Sequence, residues 1–112
     1  MKINKGLMAG STDMLILSLL EEKEMYGYEM IETLEKRSDH TFDLKAGTLY
    51  PLLHSLESAG YITSREVSTE NGRVRKYYAI TNDGIGFLDS RRQEWEKFSG
   101  AVNLVIGKGV KA

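Results

Sequence analysis

Residues 45–61 read KAGTLYPLLHSLESAGY, and the way this stretch folds decides the rest of the molecule. Leu49, Leu52, Leu53 and Leu56 recur at three- and four-residue steps, which puts them on one stripe of an α-helix. At about 100° per residue, Gly47, Tyr50, Pro51 and His54 fall on the opposite side. Pro51 is compatible with a helix that starts between Ala46 and Thr48, because first-turn N–H groups have no helical acceptor. Gly60 suits a left-handed cap at the far end. The stretch is therefore predicted to be a helix held down by its leucines and displaying a small, polar and aromatic face.

Upstream, residues 11–22 read STDMLILSLLEE. Ser11 or Thr12 can cap a helix, Asp13 suits the first turn, and the apolar run fills one side. KEMYG interrupts the pattern. Tyr28 to Arg37 resumes it as a short amphipathic helix, with Met30, Ile31 and Leu34 on one face. Lys36 and Arg37 suit the negative end of that helix. The polar connector SDHTFDL carries Phe42. Three short helices with an abrupt turn between the second and third suggest a helix-turn-helix.

Downstream the periodicity drops to about two. YITSREV and RVRKYYAI are rich in β-branched and aromatic residues, and the Asn71-Gly72 pair between them is a tight-turn signal. Thr81 caps a last helix predicted from about Asn82 to Ile106, after which GKGVKA frays. Gly84 and Gly86 suggest close helix packing. Helix-turn-helix followed by a hairpin is the order of a winged helix. The expected class is mostly α with a small β-hairpin (α+β), a winged helix-turn-helix with a long C-terminal dimerisation helix. Residues 1–84 would form the DNA-binding domain and 85–112 the dimerisation helix, as one continuous unit. In this arrangement the third helix enters the DNA major groove, and the hairpin lies over the backbone or minor groove.

The bulk properties agree with one small domain. The chain has 112 residues, 41% of them hydrophobic, and a net charge of −1. That is enough apolar chain for a modest core, and too much for disorder. No apolar run approaches the roughly 20 residues of a membrane span, and the N-terminus has no signal-peptide core. Cysteine is absent, which excludes disulfides and thiolate chemistry. The cytoplasm is the expected compartment. His40 and His54 lie on separate elements without ligand-spaced partners, so no metal is expected. No Ser/His/Asp set or phosphate-binding glycine loop is present, which points away from an enzyme and from a cofactor. With a near-neutral chain, DNA binding requires a local basic patch.

Three motifs carry a resemblance to a known family. MYGYEM (residues 25–30), GTLYPLLHSLESAGYI (residues 47–62) and RKYYAITNDG (residues 75–84) stand in order and at matching spacing. Together they resemble the PadR family of bacterial transcription regulators over nearly the whole chain, with Ile80 in place of the family's usual leucine. The length resembles the short subfamily with a single C-terminal helix. The resemblance implies a dimeric repressor, of a kind that often releases DNA on binding phenolic acids, drugs or other small aromatic compounds.

The candidate DNA-facing residues follow from the helix face and the hairpin. Lys45, Gly47, Thr48, Tyr50, Pro51 and His54 belong to the third helix. Glycine there permits close backbone approach, and Thr48 and Tyr50 carry hydroxyl donors for phosphate or base edges. Arg73, Arg75 and Lys76 flank the hairpin tip, with Arg65 on the opposite strand. A merely solvated hairpin face is the plainer reading of these cations, and Glu66 and Glu70 dilute the patch. Of Tyr26 and Tyr28, one is expected in the core and the other can offer its hydroxyl to a phosphate; which is which stays open, and Tyr28 is carried among the DNA-binding candidates.

The last helix carries a second stripe. Leu88, Trp95, Phe98, Val102 and Val105 fit alternating three- and four-residue steps, interrupted by Arg91. Beyond Leu88 such a stripe has little to bury against in one chain, so it predicts a two-fold dimer. The plainer alternative folds Trp95 back on its own domain. Trp95 and Phe98, with Met8 and Leu15, are the candidate effector site. The expected function is sequence-specific binding of a pseudo-palindromic double-stranded operator by a homodimeric repressor, released by a small aromatic or hydrophobic effector. A winged-helix protein-interaction module and a DNA-binding regulator without an effector remain open.

Overall fold

The computed structural model describes residues 3–107. Most of the GKGVKA tail lies outside the described residues. The elements are α1 (Lys5–Ala9), α2 (Thr12–Glu22), β1 (Met25–Tyr26), α3 (Gly27–Arg37), α4 (Ala46–Ser58), β2 (Ile62–Ser68), β3 (Val74–Ile80) and α5 (Asn82–Ile106). No helix among the described residues is long and apolar enough to cross a membrane.

The core is built around α2, which buries Met14, Ile16, Leu17, Leu19 and Leu20. Met30 and Leu34 of α3, Leu49, Leu53 and Leu56 of α4, Ile62, Tyr78 and Leu88 close over them. Full burial of such side chains contributes about 1.5–3 kcal/mol each. Leu52 of the leucine stripe is only half-buried, at the edge of this core. Ser11 occupies the α2 cap position without making a side-chain cap bond. Thr12 instead donates its hydroxyl to the Met8 carbonyl at 2.9 Å, and the Met14 N–H donates to Asp13 Oδ1 at 2.6 Å.

The KEMYG interruption contains a strand. Met25 and Tyr26 pair antiparallel with Tyr78 and Tyr77, giving a three-stranded sheet in the order β1-β3-β2. The hairpin is thus stitched to the helical body. Its turn uses Gly72 at φ 76°, with the Gly72 N–H donating to the Thr69 carbonyl at 3.0 Å.

Between α3 and α4 the chain passes through two left-handed residues, Asp39 (φ 53°) and His40 (φ 62°). Each costs roughly 1–2 kcal/mol for an L-residue. The turn is held by the Phe42 N–H, which donates to Ser38 Oγ at 3.0 Å, and by burial of Leu44. It delivers Thr41 and Phe42 to the side of the molecule where α1 and α5 meet.

Helix α5 starts as predicted. Thr81 Oγ1 accepts the Gly84 N–H at 3.0 Å and donates to the Gly60 carbonyl at 2.6 Å. Gly84 is pressed on the Tyr61 backbone, where an added Cβ would collide with the carbonyl oxygen. Gly86, expected to pack similarly, faces open space. Leu88, expected on the dimer stripe, is fully buried in the core of its own chain and so offers no surface to a second copy. Beyond it the helix leaves the body, and Trp95, Phe98, Val102 and Val105 are exposed, Val105 by 87%. Arg92 ties the departing helix to Glu21 of α2 at 2.8 Å. This is a winged helix-turn-helix, with β2 and β3 as the wing and a long helix appended.

Candidate nucleic-acid interface and adjoining cavity

Three separate stretches of sequence converge on one cleft of about 440 Å³. Tyr26 ends β1, Gly27 and Tyr28 start α3, Tyr50 comes from α4, and Arg73, Val74, Arg75 and Lys76 come from the wing. The glycine between the two tyrosines has a packing reason. The Tyr50 ring lies across Gly27, so a Cβ there would stand 2.7 Å from the ring carbon that bears the hydroxyl. Burial raises the Tyr50 pKa, and Tyr28 and Tyr78 raise it further. The hydroxyl therefore stays protonated and remains a hydrogen-bond donor near neutral pH.

The two tyrosines separate cleanly. Tyr28 is exposed, and Tyr26 is half-buried under the wing. The Arg75 guanidinium sits over the Tyr26 ring at 4.3 Å. Tyr26 meets Tyr77 edge-on at 5.4 Å, and Arg65 lies over Tyr77 at 5.8 Å. Each exposed cation–π contact contributes roughly 0.5–1 kcal/mol. The ladder fixes where Arg75 points without neutralising it. Arg65 is different. It forks onto Glu24, and that hydrogen bond holds the Glu24 carboxyl below its usual range. Arg65 therefore belongs to the scaffold of the wing.

Lys45, Gly47, Thr48, Pro51 and His54 lie along α4 outside the cleft lining, and Lys45 pairs with Asp43 at 3.0 Å. All five are exposed, as are Arg73, Arg75 and Lys76. Val74 is a cleft residue that the sequence did not mark, and Tyr26, which the sequence left open between core and phosphate contact, lines the cleft as well. The place of Tyr26 depends on its pairing with Tyr77 of β3, which a two-residue strand does not announce. Tyr50→Ala and His54→Ala are each expected to weaken operator binding about three- to tenfold, the loss of one hydrogen bond, with the oligomeric state unchanged. Mobility shift with light scattering in parallel checks this. A variant that unfolds or loses its dimer without a DNA defect marks a packing residue, and one that binds DNA normally removes its residue from the interface.

Elsewhere on the molecule, α1, the start of α2, the Thr41–Phe42 turn and α5 border an open cavity of about 910 Å³. Met8, Leu15, Trp95 and Phe98 all line it, joined by Phe42 and Arg91. The Trp95 and Phe98 rings are 6.1 Å apart and tilted by 38°. Arg91 explains the break in the apolar stripe. It hydrogen-bonds Asp13, the Gly10 carbonyl and Glu94. The bond to Asp13, and then that to Glu94, raise its pKa against the lowering effect of burial.

A winged helix whose displayed helix and cationic wing share a cleft is the architecture of a DNA-binding regulator. Residues 16–90 match the family described as transcriptional regulator PadR-like. A transcriptional regulator from Clostridium thermocellum superposes with a TM-score of 0.80 at 36% identity, covering 96% of this chain and 100% of that one. A PadR family transcription regulator from Clostridium difficile gives 0.75 at 37% identity, covering 86% and 98%. A transcriptional regulator of Mycobacterium tuberculosis is 32% identical over 87 residues, 78% of each chain. The chain belongs to the PadR-like family of transcriptional regulators, whose members bind DNA and are not enzymes.

Proposed function

We propose that this protein is a homodimeric repressor that reads a pseudo-palindromic operator and is released by a small aromatic effector. In this reading residues 1–84 bind DNA and 85–112 pair the subunits. The carrying observation is the uncovered apolar surface of α5, where Phe98, Leu104, Val105 and Ile106 are each at least 61% exposed. A second copy of the same helix is the natural cover, since a self-complementary two-fold contact buries the stripe on both chains at once. Two α4 helices would then lie about 34 Å apart, one DNA turn. The cavity beside Trp95 has the size of a small-molecule site and would be bounded by both subunits. An effector favouring a dimer with misplaced α4 helices would lower DNA affinity by linkage.

Light scattering and mobility shift with fragments of the protein's own promoter test the first half of this reading. A monomer at micromolar concentration, or no shift, sinks it and favours a protein-interaction module. Trp95 tests the second half, since it is the sole tryptophan and its emission reports on the cavity. A planar aromatic ligand is expected to quench it, and Trp95→Ala should lower ligand affinity more than DNA affinity. Stacking on the indole is worth about 0.5–1.5 kcal/mol beyond area burial. A dimeric Trp95→Ala protein that responds with undiminished affinity would place sensing elsewhere, or leave a regulator with no effector.

A further inference from the structure

The tip of the wing holds a pair of residues that can react with each other. Of Asn4, Asn71, Asn82 and Asn103, only Asn71 is followed by glycine. A backbone nitrogen can attack the side-chain carbonyl of the asparagine before it and close a five-membered ring. A Cβ on the attacking residue crowds that ring, and glycine has none. Gly72 stands at φ 76° with open space where a Cβ would point, and Glu70, Asn71, Gly72 and Arg73 are all exposed. Among the described residues nothing hydrogen-bonds the Asn71 side chain. The turn is closed at its base, where the Thr69 N–H and hydroxyl both donate to the Arg73 carbonyl, at 2.7 and 3.0 Å. Above that base the Gly72 N–H makes one bond, to the Thr69 carbonyl. Opening one bond at an exposed loop tip costs little, so the nitrogen is released often. Asp83-Gly84 is the contrast. That pair could cyclise in the same way, but Gly84 is buried in α5 against the Tyr61 backbone, which holds it still.

The geometry points to Asn71 as a site of spontaneous deamidation that loosens the grip of an ageing wing on DNA. The Gly72 nitrogen, its proton taken by hydroxide, bonds to Asn71 Cγ. The Cγ–Nδ2 bond breaks, and the amide leaves as ammonia with a proton from water. A second water opens the ring. Cleavage of the new N–Cγ bond gives aspartate. Cleavage at the backbone carbonyl gives isoaspartate, with an extra methylene in the main chain. The net exchange is ammonia lost for water gained. Either product puts a negative charge between Glu70 and Arg73. Residues 69–73 hold one acid and one base, so the tip passes from neutral to net negative. A phosphate backbone repels that charge whatever its sequence. This effect on binding rests on the reading of the wing as a DNA contact, whereas the chemistry does not.

The test incubates the full chain in warm, mildly alkaline buffer. Trypsin then cuts after Arg65 and Arg73 and releases residues 66–73 for mass spectrometry, read against protein digested without incubation. The peptide is expected to gain the mass of an amide-to-acid exchange and to split into two chromatographic forms, while peptides with Asn4, Asn82 or Asn103 stay intact. Asn71→Asp should bind operator and random DNA about threefold or more weakly, with a salt slope less negative by about one per subunit. Incubated wild type should lose affinity in step with conversion, and Asn71→Gln, whose longer side chain closes its ring poorly, should not. An unchanged peptide overturns the site. Should Asn71→Asp bind like wild type while Arg75→Ala/Lys76→Ala binds weakly, the effect on binding is overturned and the wing spared. Should neither variant weaken binding, the wing leaves the interface and takes the effect with it.

Discussion

Gly84→Ala is expected to be the most damaging single methyl group that can be added to this protein. Overpacking a core typically costs about 1–3 kcal/mol, and more where the neighbour cannot move. The neighbour here is the Tyr61 backbone, whose carbonyl also accepts the Thr81 N–H at 3.0 Å and so anchors the start of α5. Relief requires lifting α5, which would withdraw Leu88 from the core. The expected loss is about 3 kcal/mol or more, seen in urea as a lowered midpoint with little change in slope. Gly86→Ala is the control. Its site is open, and alanine is better than glycine inside a helix by roughly 0.5–1 kcal/mol. A Gly84→Ala protein as stable as wild type would mean that the contact between α5 and the β2 entrance is soft.

Removing both wing cations should produce the largest change in DNA binding. Arg75 and Lys76 are exposed and lie in the cleft with Tyr28 and Tyr50. If each neutralises one phosphate, Arg75→Ala/Lys76→Ala makes the slope of log affinity against log salt less negative by about two per subunit. Affinity for operator and for random DNA should fall by similar factors, since phosphate contacts carry no sequence information. Stability should hardly change, because neither side chain is in the core. An unaltered salt slope would remove the wing from the interface.

Most of the architecture was legible because it rests on strong local signals. Helix α5 begins and ends where its cap and periodicity say, and α2, α3 and α4 agree with the pattern to within about a residue. What escaped was short or cooperative. Helix α1 has only five residues, with Gly6 inside it and Gly10 at its end, and so short a helix is marginal however good its remaining residues are as helix formers. Strand β1 has two residues and exists only through its pairing with β3. The stripe on α5 was legible as a pattern, and so was the end of the core near Leu88, but Leu88 itself was counted with the stripe whereas it closes the core. Arg91 stood out as an interruption. Its meaning needed Asp13 and Gly10, some eighty residues away in sequence. The cleft had the same limit. Tyr50, Arg75 and Lys76 were marked one by one, whereas their meeting at Gly27 is a property of the fold.

The sheet order β1-β3-β2 leaves β2 as an edge, and β1 covers β3 only at Tyr77 and Tyr78. Both flanks of the projecting wing thus carry backbone donors and acceptors that another strand could zip onto, the usual seed of aggregation. Arg65 and Glu66 stand midway along one flank, and Arg75 and Lys76 along the other. Charged side chains at such positions make strand addition costly. The cations offered to a phosphate backbone are thus also the guards that let a naked hairpin stand out in water without recruiting its neighbours.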